Sequence, residues 1–221
     1  GDLEGEVLRE RAIAFTPEQL QSALQQLRGE IDQVPPMHSA LKHEGKALYE
    51  LARQGKTVAR EPRRVCIHAL ELLSHEGATL QMAVRCSKGT YIRTLAEDLG
   101  ELLGCGAHLS ALRRTHSGPL HLEQAVTLEQ LEAEDDAARL RHLLPPDLLL
   151  DDCPLVRLDA DNAGKLLAGI RRRTALAPVA RVRAFGPEPQ AFLGSARIAG
   201  GELIPERLLS PIELQTLLAW P

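Results

Sequence analysis

One stretch constrains the fold more than any other. From Thr79 to Cys86 the chain alternates Leu80, Met82, Val84 and Cys86 with other residues, the period-two pattern of a strand with one buried face. Ser87-Lys88-Gly89-Thr90 interrupts it. From Tyr91 the period lengthens, and Ile92, Leu95, Leu99 and Leu102 fall on one side of a helix that runs to about Leu103. A one-faced strand that feeds a one-faced helix through so short a break needs sheet and helix to share a core. Aromatic residues are only 3% of the chain, so that core must be built from Leu, Val, Ile and Ala.

The flanking segments extend this layout. Thr16-Pro17-Glu18-Gln19 reads as an N-cap followed by Pro at the first helical position. Leu20, Leu24 and Leu27 follow at helical spacing before Gly29. Gln33-Val34-Pro35-Pro36 cannot be helix interior, because each proline removes a donor and fixes its φ. Lys46 to Gln54 predicts a short helix stopped by Gly55. Arg64 to Leu72 alternates through Val65, Ile67 and Ala69, and a turn at Glu76-Gly77 pairs it with the following strand. Strand-like alternation is expected again from His108 to Leu120. A single helix is expected from Leu128 to Leu144, acidic in its first half and basic in its second, as the helix dipole favours. Beyond Pro154 the pieces are short and β-rich: Val179 to Phe185, Ala191 to Ile198 and Leu203 to Leu209, with Gly186-Pro187 and Gly200-Gly201 at turns.

The formal net charge of −4 is unevenly spread. Residues 38–116 carry twelve Lys/Arg against eight Asp/Glu, and acidic blocks flank them. An acidic whole argues against indiscriminate coating of nucleic acid, and a basic middle suits phosphate contact on one face. A solvated surface with unevenly placed charges explains the same numbers. No uncharged apolar run approaches the ~20 residues of a membrane span. The four cysteines have no paired spacing, which predicts a reducing, cytoplasmic setting. Cys105-Gly106-Ala107-His108 is a lone C-x-x-H, so no metal site is expected. Dinucleotide and P-loop glycine motifs do not occur.

Three constellations could carry chemistry. In Cys86-Ser87-Lys88-Gly89-Thr90-Tyr91-Ile92-Arg93-Thr94, the start of a helix presents backbone N–H groups, with Tyr91 and Arg93 in its first turn. Arg93 could hold a carboxylate with a planar fork; it could equally be a surface arginine on a capped helix. Pro35-Pro36-Met37-His38-Ser39-Ala40-Leu41-Lys42, with Lys46 and Arg53 after it, offers rigid prolines and regularly placed cations for phosphates, or a plain polar loop. Leu109-Ser110-Ala111-Leu112-Arg113-Arg114-Thr115 could place Leu112 on an apolar wall beside a cation, or form an edge strand guarded by charge.

Taken in order, V-P-P-M-H-S-A-L-K, G-K-A-L-Y-E-L-A-R-Q-G, C-S-K-G-T-Y-I-R-T-L-A-E-D-L-G and G-C-G-A-H-L-S-A-L-R-R-T resemble the bacterial TruB-type tRNA pseudouridine synthases. The resemblance implies an α+β fold: a mixed or antiparallel sheet flanked by helices over residues 1–148, the catalytic domain. A small β-rich, PUA-like, RNA-binding domain would follow over residues 149–221. It implies isomerisation of the uridine at position 55 in the T-loop of tRNA to its C-glycoside, with no metal and no organic cofactor. The implied partner is the tRNA T-arm, and a monomer is expected. By position, Arg93 would pair with the nucleophilic aspartate, Tyr91 and Leu112 would line the pocket of the flipped uridine, and Lys42 would touch the RNA backbone. The family's aspartate lies in a G-x-L-D-P-x-A-T-G string that these 221 residues do not contain, so the chain by itself is expected to be inactive. His38 stands where the family usually has Tyr. The alternative from another class is an RNA-binding or tRNA-folding module without chemistry.

Overall fold

Thr16 closes a capping box. Its side chain accepts from the Gln19 N–H while the Gln19 side chain accepts from the Thr16 N–H. Two orphan donors are satisfied reciprocally, and helix α1 runs from Pro17 to Gln26 with Leu20, Ala23 and Leu24 buried. The computed structural model describes residues 2–7, 9–187 and 191–218. Its chain divides between Arg113 and Arg114 into two compact units, earlier in sequence than the 148/149 boundary expected above.

In the first unit α1 is followed by β1 (Gly29–Gln33), a small hairpin of β2 (Lys42–His43) and β3 (Lys46–Ala47), and α2 (Leu48–Arg53). Next come β4 (Arg63–Glu76), β5 (Thr79–Cys86) and α3 (Ile92–Leu102). Strands β1, β4 and β5 form an antiparallel sheet in that order, with β4 central. Leu20, Leu24 and Leu27 from α1, Ile67 and Leu70 from β4, and Leu95 and Leu99 from α3 bury one another. The sheet therefore packs its apolar face on two helices.

Two local differences from the expected pattern have clear causes. Strand β4 changes register between Ile67 and Ala69 and again between Leu72 and Ser74. Each bulge inserts a residue and flips the alternation, so Leu70, 1% exposed, fills the core where Ala69 was expected. Strand β1 and the β2–β3 hairpin were not expected at all. The hairpin turns on Glu44 and Gly45, both with positive φ (50° and 83°), as a two-residue loop of this kind requires.

The second unit opens with a hairpin of β6 (His116–Ser117) and β7 (Leu120–His121). Helices α4 (Leu128–Ala133) and α5 (Asp136–Leu140), strand β8 (Leu155–Arg157), helix α6 (Ala160–Leu167) and strand β9 (Arg172–Arg173) follow. Then come β10 (Val179–Phe185), β11 (Phe192–Ala199), β12 (Glu202–Leu208) and α7 (Pro211–Leu218). Its sheet has the order β8-β10-β11-β12-β9, antiparallel except for β8 with β10. Leu166, Val182, Ala184, Ala196, Ile198 and Leu203 form its core. The helix expected from Leu128 to Leu144 is broken in two. Glu134 is extended (ψ 150°), and the Asp135 carboxylate accepts from the Ala138 N–H to start a new helix. Neither short helix buries a residue, so no packing opposes the break. Between His108 and Leu120 the chain is mostly irregular, with only an isolated Leu109–Asp2 bridge ahead of the β6–β7 hairpin. Among the described residues no helix is long and apolar enough to cross a membrane.

Candidate active site

Helix α3 is placed by contacts at both ends. Arg11 grips its C-terminal end: Nη1 and Nη2 each donate to a Glu101 carboxylate oxygen at 2.9 Å. That bidentate bond holds the Glu101 carboxyl below the usual range for glutamate. At the N-terminal end, Arg93 makes two contacts. Its Nη1 lies 3.1 Å from Asp2 Oδ2, and its Nη2 donates to the His38 carbonyl at 2.7 Å. Asp2 and Arg11 thus tie to the two ends of α3.

Asp2 is a residue that the motif reading missed. It carries no local signal; a backbone bridge to Leu109 holds it where its carboxylate faces Arg93. Both side chains are about one-third exposed, so the pair is only partly shielded from water. A guanidinium has five N–H donors, and these two contacts leave others for a further acceptor.

Arg93 also lines a cavity of about 230 Å³ with Pro36, Met37, His38, Arg60 and Glu97. The proline loop and the helix start, separate constellations in sequence, here line one space. Arg60 is held by donation to the Pro35 carbonyl at 3.0 Å, while its Nε is buried without a partner. So are the hydroxyls of Ser39 and Thr94, the residues next to His38 and Arg93. Buried polar atoms normally find partners; of these three residues, only Arg60 lines the cavity. The other hollow of note, about 170 Å³ at the β6–β7 hairpin, is lined by residues 114–117 and 120–122 and has no carboxylate.

The remaining residues singled out in sequence are spread more widely. Tyr91 is the N-cap of α3, with no side-chain cap of its own. Its backbone N–H donates to Gln33 Oε1 at 2.8 Å, and its carbonyl accepts from Gln33 Nε2 at 3.1 Å. Tyr91 is not among the residues lining the cavity. Leu112 is 62% exposed on the irregular segment that follows Leu109. Lys42 is exposed in β2, opposite Ala47. Only Arg93 and the proline loop are brought together at the cavity.

Residues 1–92 match the TruB family pseudouridylate synthase (N terminal domain), and residues 93–151 match the tRNA pseudouridylate synthase B C-terminal domain. The chain is 50% identical over 226 residues to the tRNA pseudouridine synthase B of Verminephrobacter eiseniae, covering 99% of this chain and 68% of that protein. It is 52% identical over 217 residues to the protein of the same name from Ralstonia nicotianae, covering 94% and 69%. Among solved structures it is similar to a chain of a Cbf5-Nop10-Gar1 complex, at TM-score 0.69 and 21% identity over 91% of this chain and 64% of that one. A second is a chain of an H/ACA RNP bound to a substrate RNA containing 2'-deoxyuridine, at TM-score 0.64 and 18% identity over 89% and 62%. The chain therefore spans less than two thirds of those solved chains. At such identities the likeness speaks for a shared α+β fold.

Proposed function

Since the chain belongs to the TruB family of pseudouridylate synthases, we propose that it is the greater part of a tRNA pseudouridine synthase. Its substrate is the uridine at position 55 in the T-loop. The observation that carries this reading is the cavity in which Arg93 faces the Pro36-Met37-His38 loop. The reaction exchanges an N-glycosidic for a C-glycosidic bond within one nucleotide, so atoms balance without a cofactor. The uridine must leave the folded loop before that bond can be reached, and a polar, sheltered cavity is where it would go.

The assigned roles are those that the family resemblance implies by position. The nucleophile is the aspartate of the family's G-x-L-D-P-x-A-T-G string, which these 221 residues do not contain. Arg93 holds that carboxylate ionised in a pocket that would otherwise raise its pKa. The family resemblance assigns Tyr91 and Leu112 to the flipped base, although neither is among the residues that line the Arg93 cavity. Lys42 takes a backbone phosphate of the T-arm, positioning RNA without reading its sequence. Residues 1–148 form the catalytic domain, and 149–221 a PUA-like domain that adds RNA contacts. The protein works as a monomer in the cytoplasm, with no metal.

The test uses Arg93→Lys and Arg93→Met in the full-length protein, with single-turnover rate and tRNA affinity measured for each. Lysine keeps the charge but loses the fork; methionine leaves a carboxylate unpaired. With the nucleophile's carboxylate no longer held ionised and aimed, the rate should fall by orders of magnitude while tRNA affinity persists. A near wild-type rate in Arg93→Met, or affinity falling in step with rate, would overturn the assignment. The 221 residues alone are expected to bind unmodified T-arm RNA without turning it over. Clear turnover by them would move the nucleophile into this chain, with Asp2 the first carboxylate to examine.

A further inference from the structure

Gln33 plays no part in the roles just assigned, yet it is the most deeply buried polar side chain among the described residues, at 2% exposed. An amide is costly to bury unless both of its ends are bonded. Here both ends go to one residue. Oε1 accepts from the Tyr91 N–H at 2.8 Å, and Nε2 donates to the Tyr91 carbonyl at 3.1 Å. The side chain copies the two-way exchange of a hydrogen-bonded pair in an antiparallel ladder, across 58 residues of sequence.

The place of this clamp is what gives it consequence. Tyr91 is the N-cap of α3, and no side chain caps that helix locally; its point of entry is fixed by β1 instead. Arg93 follows two residues later. On the other side, Gln33 is the last residue of β1, paired with Arg63 of the central strand. The loop that leaves it carries Pro36, Met37 and His38 to the cavity, and the His38 carbonyl accepts from Arg93 Nη2 at 2.7 Å. The amide therefore ties the origin of one cavity wall to the origin of the other, and the Arg93 guanidinium bridges the same two walls further out.

We propose that Gln33 is a positioning residue for the isomerisation. By holding the Tyr91 backbone to the end of β1, it sets where the Arg93 guanidinium meets the reacting carboxylate. This role rests on the function proposed above. Misplacing a catalytic group by ~1 Å can cost about a hundredfold in rate, so a clamp at the root of the helix acts on rate more than on RNA binding.

The experiment compares Gln33→Met and Gln33→Glu with the unaltered full-length protein, each alone and combined with Arg93→Lys. Methionine keeps the length and removes both bonds. Glutamate keeps an acceptor for the Tyr91 N–H and replaces the amide donor with a carboxyl oxygen facing the Tyr91 carbonyl, so it carries the test if the methionine variant does not fold. Single-turnover rate on tRNA, tRNA affinity and thermal unfolding are read for every variant. At temperatures where each is folded, the expected result is a rate loss of about ten- to a hundredfold with affinity within about twofold of the parent. The double variants should be little slower than Arg93→Lys alone, because Gln33 acts through Arg93. A variant that unfolds at lower temperature yet isomerises at the parent rate overturns the proposal and leaves Gln33 a purely structural clamp. So do losses that multiply with Arg93→Lys, or affinity falling in step with rate. If the unaltered full-length protein does not isomerise uridine in tRNA, the proposed function fails instead.

Discussion

Arg93 spends its first two hydrogen bonds on unlike partners, the Asp2 carboxylate and the His38 carbonyl. The carbonyl comes from the backbone of the proline loop, so it is available whatever side chain stands at position 38. Replacing the family's usual Tyr by His38 therefore leaves this contact intact. The carboxylate contact is different, since it rests on one side chain. With both partners about one-third exposed, the ion pair is worth no more than about 1 kcal/mol to folding. Its effect should show in function: without Asp2's charge, the guanidinium loses one of the two points that aim it. Asp2→Asn in the full-length protein should melt within a few degrees of the parent and isomerise markedly more slowly. A variant as fast as the parent would mean that the His38 carbonyl and Gln33 suffice to hold Arg93.

At the scale of elements, legibility followed how much of each element's burial was periodic. Helices α1 and α3 and strands β4, β5, β10, β11 and β12 each carry an apolar face, and the sequence pattern finds them to within a few residues. Strand β1 has only Ile31 among its apolar candidates; its burial runs exposed, exposed, intermediate, exposed, buried, and the buried residue is Gln33. Backbone pairing to β4 and the amide clamp hold it, and neither leaves a hydrophobic period. The same holds for the site. The strand-to-helix break singles out Arg93, which lines the cavity, whereas Asp2 and Gln33 meet their partners 91 and 58 residues away and leave no local signal. Helix α3 owes its seat to a further residue without a pattern. A Cβ at Gly100 would lie on the backbone of Gly106 and Ala107, where the Gly106 N–H donates to the Gly100 carbonyl at 2.9 Å. The chain folds back against the helix only because that side chain is missing. Gly100→Ala should therefore destabilise the protein by about 3 kcal/mol despite alanine's better helix propensity. Denaturant unfolding checks this, and a stabilised Gly100→Ala variant would refute the close approach.

Across the whole molecule, helix caps and ion pairs set how folding responds to acid. The Asn162 backbone N–H and side chain hold the Asp159 carboxyl below its usual value. The Ser210 backbone N–H does the same for Glu213, and the Arg11 hydrogen bond for Glu101. A carboxyl whose folded pKa is depressed binds protons less readily than in the unfolded chain. Its contribution is therefore present above the unfolded value, near 3.8 for Asp and 4.5 for Glu, and is lost as pH falls through the folded value. Asp98 works in the opposite sense. Burial on α3, and secondarily the neighbouring Glu97 charge, raise its pKa, so its carboxylate weighs against folding at neutral pH and is relieved on protonation. With Glu18 and Glu129, likewise lowered beside their capping threonines, the depressed carboxyls outnumber the raised Asp98, so melting temperature should hold between pH 7 and 5 and fall below about pH 4. Two variants separate the contributions. Asp159→Asn keeps a capping oxygen but cannot titrate, so its melting temperature should fall less steeply with acid. Asp98→Asn should melt higher than the parent at pH 7 and converge with it below about pH 4, where the parent's carboxyl is already neutral. Thermal unfolding of the three proteins from pH 7 to 3 reads both effects, and curves parallel to the parent's throughout would show that neither carboxyl couples its proton to folding.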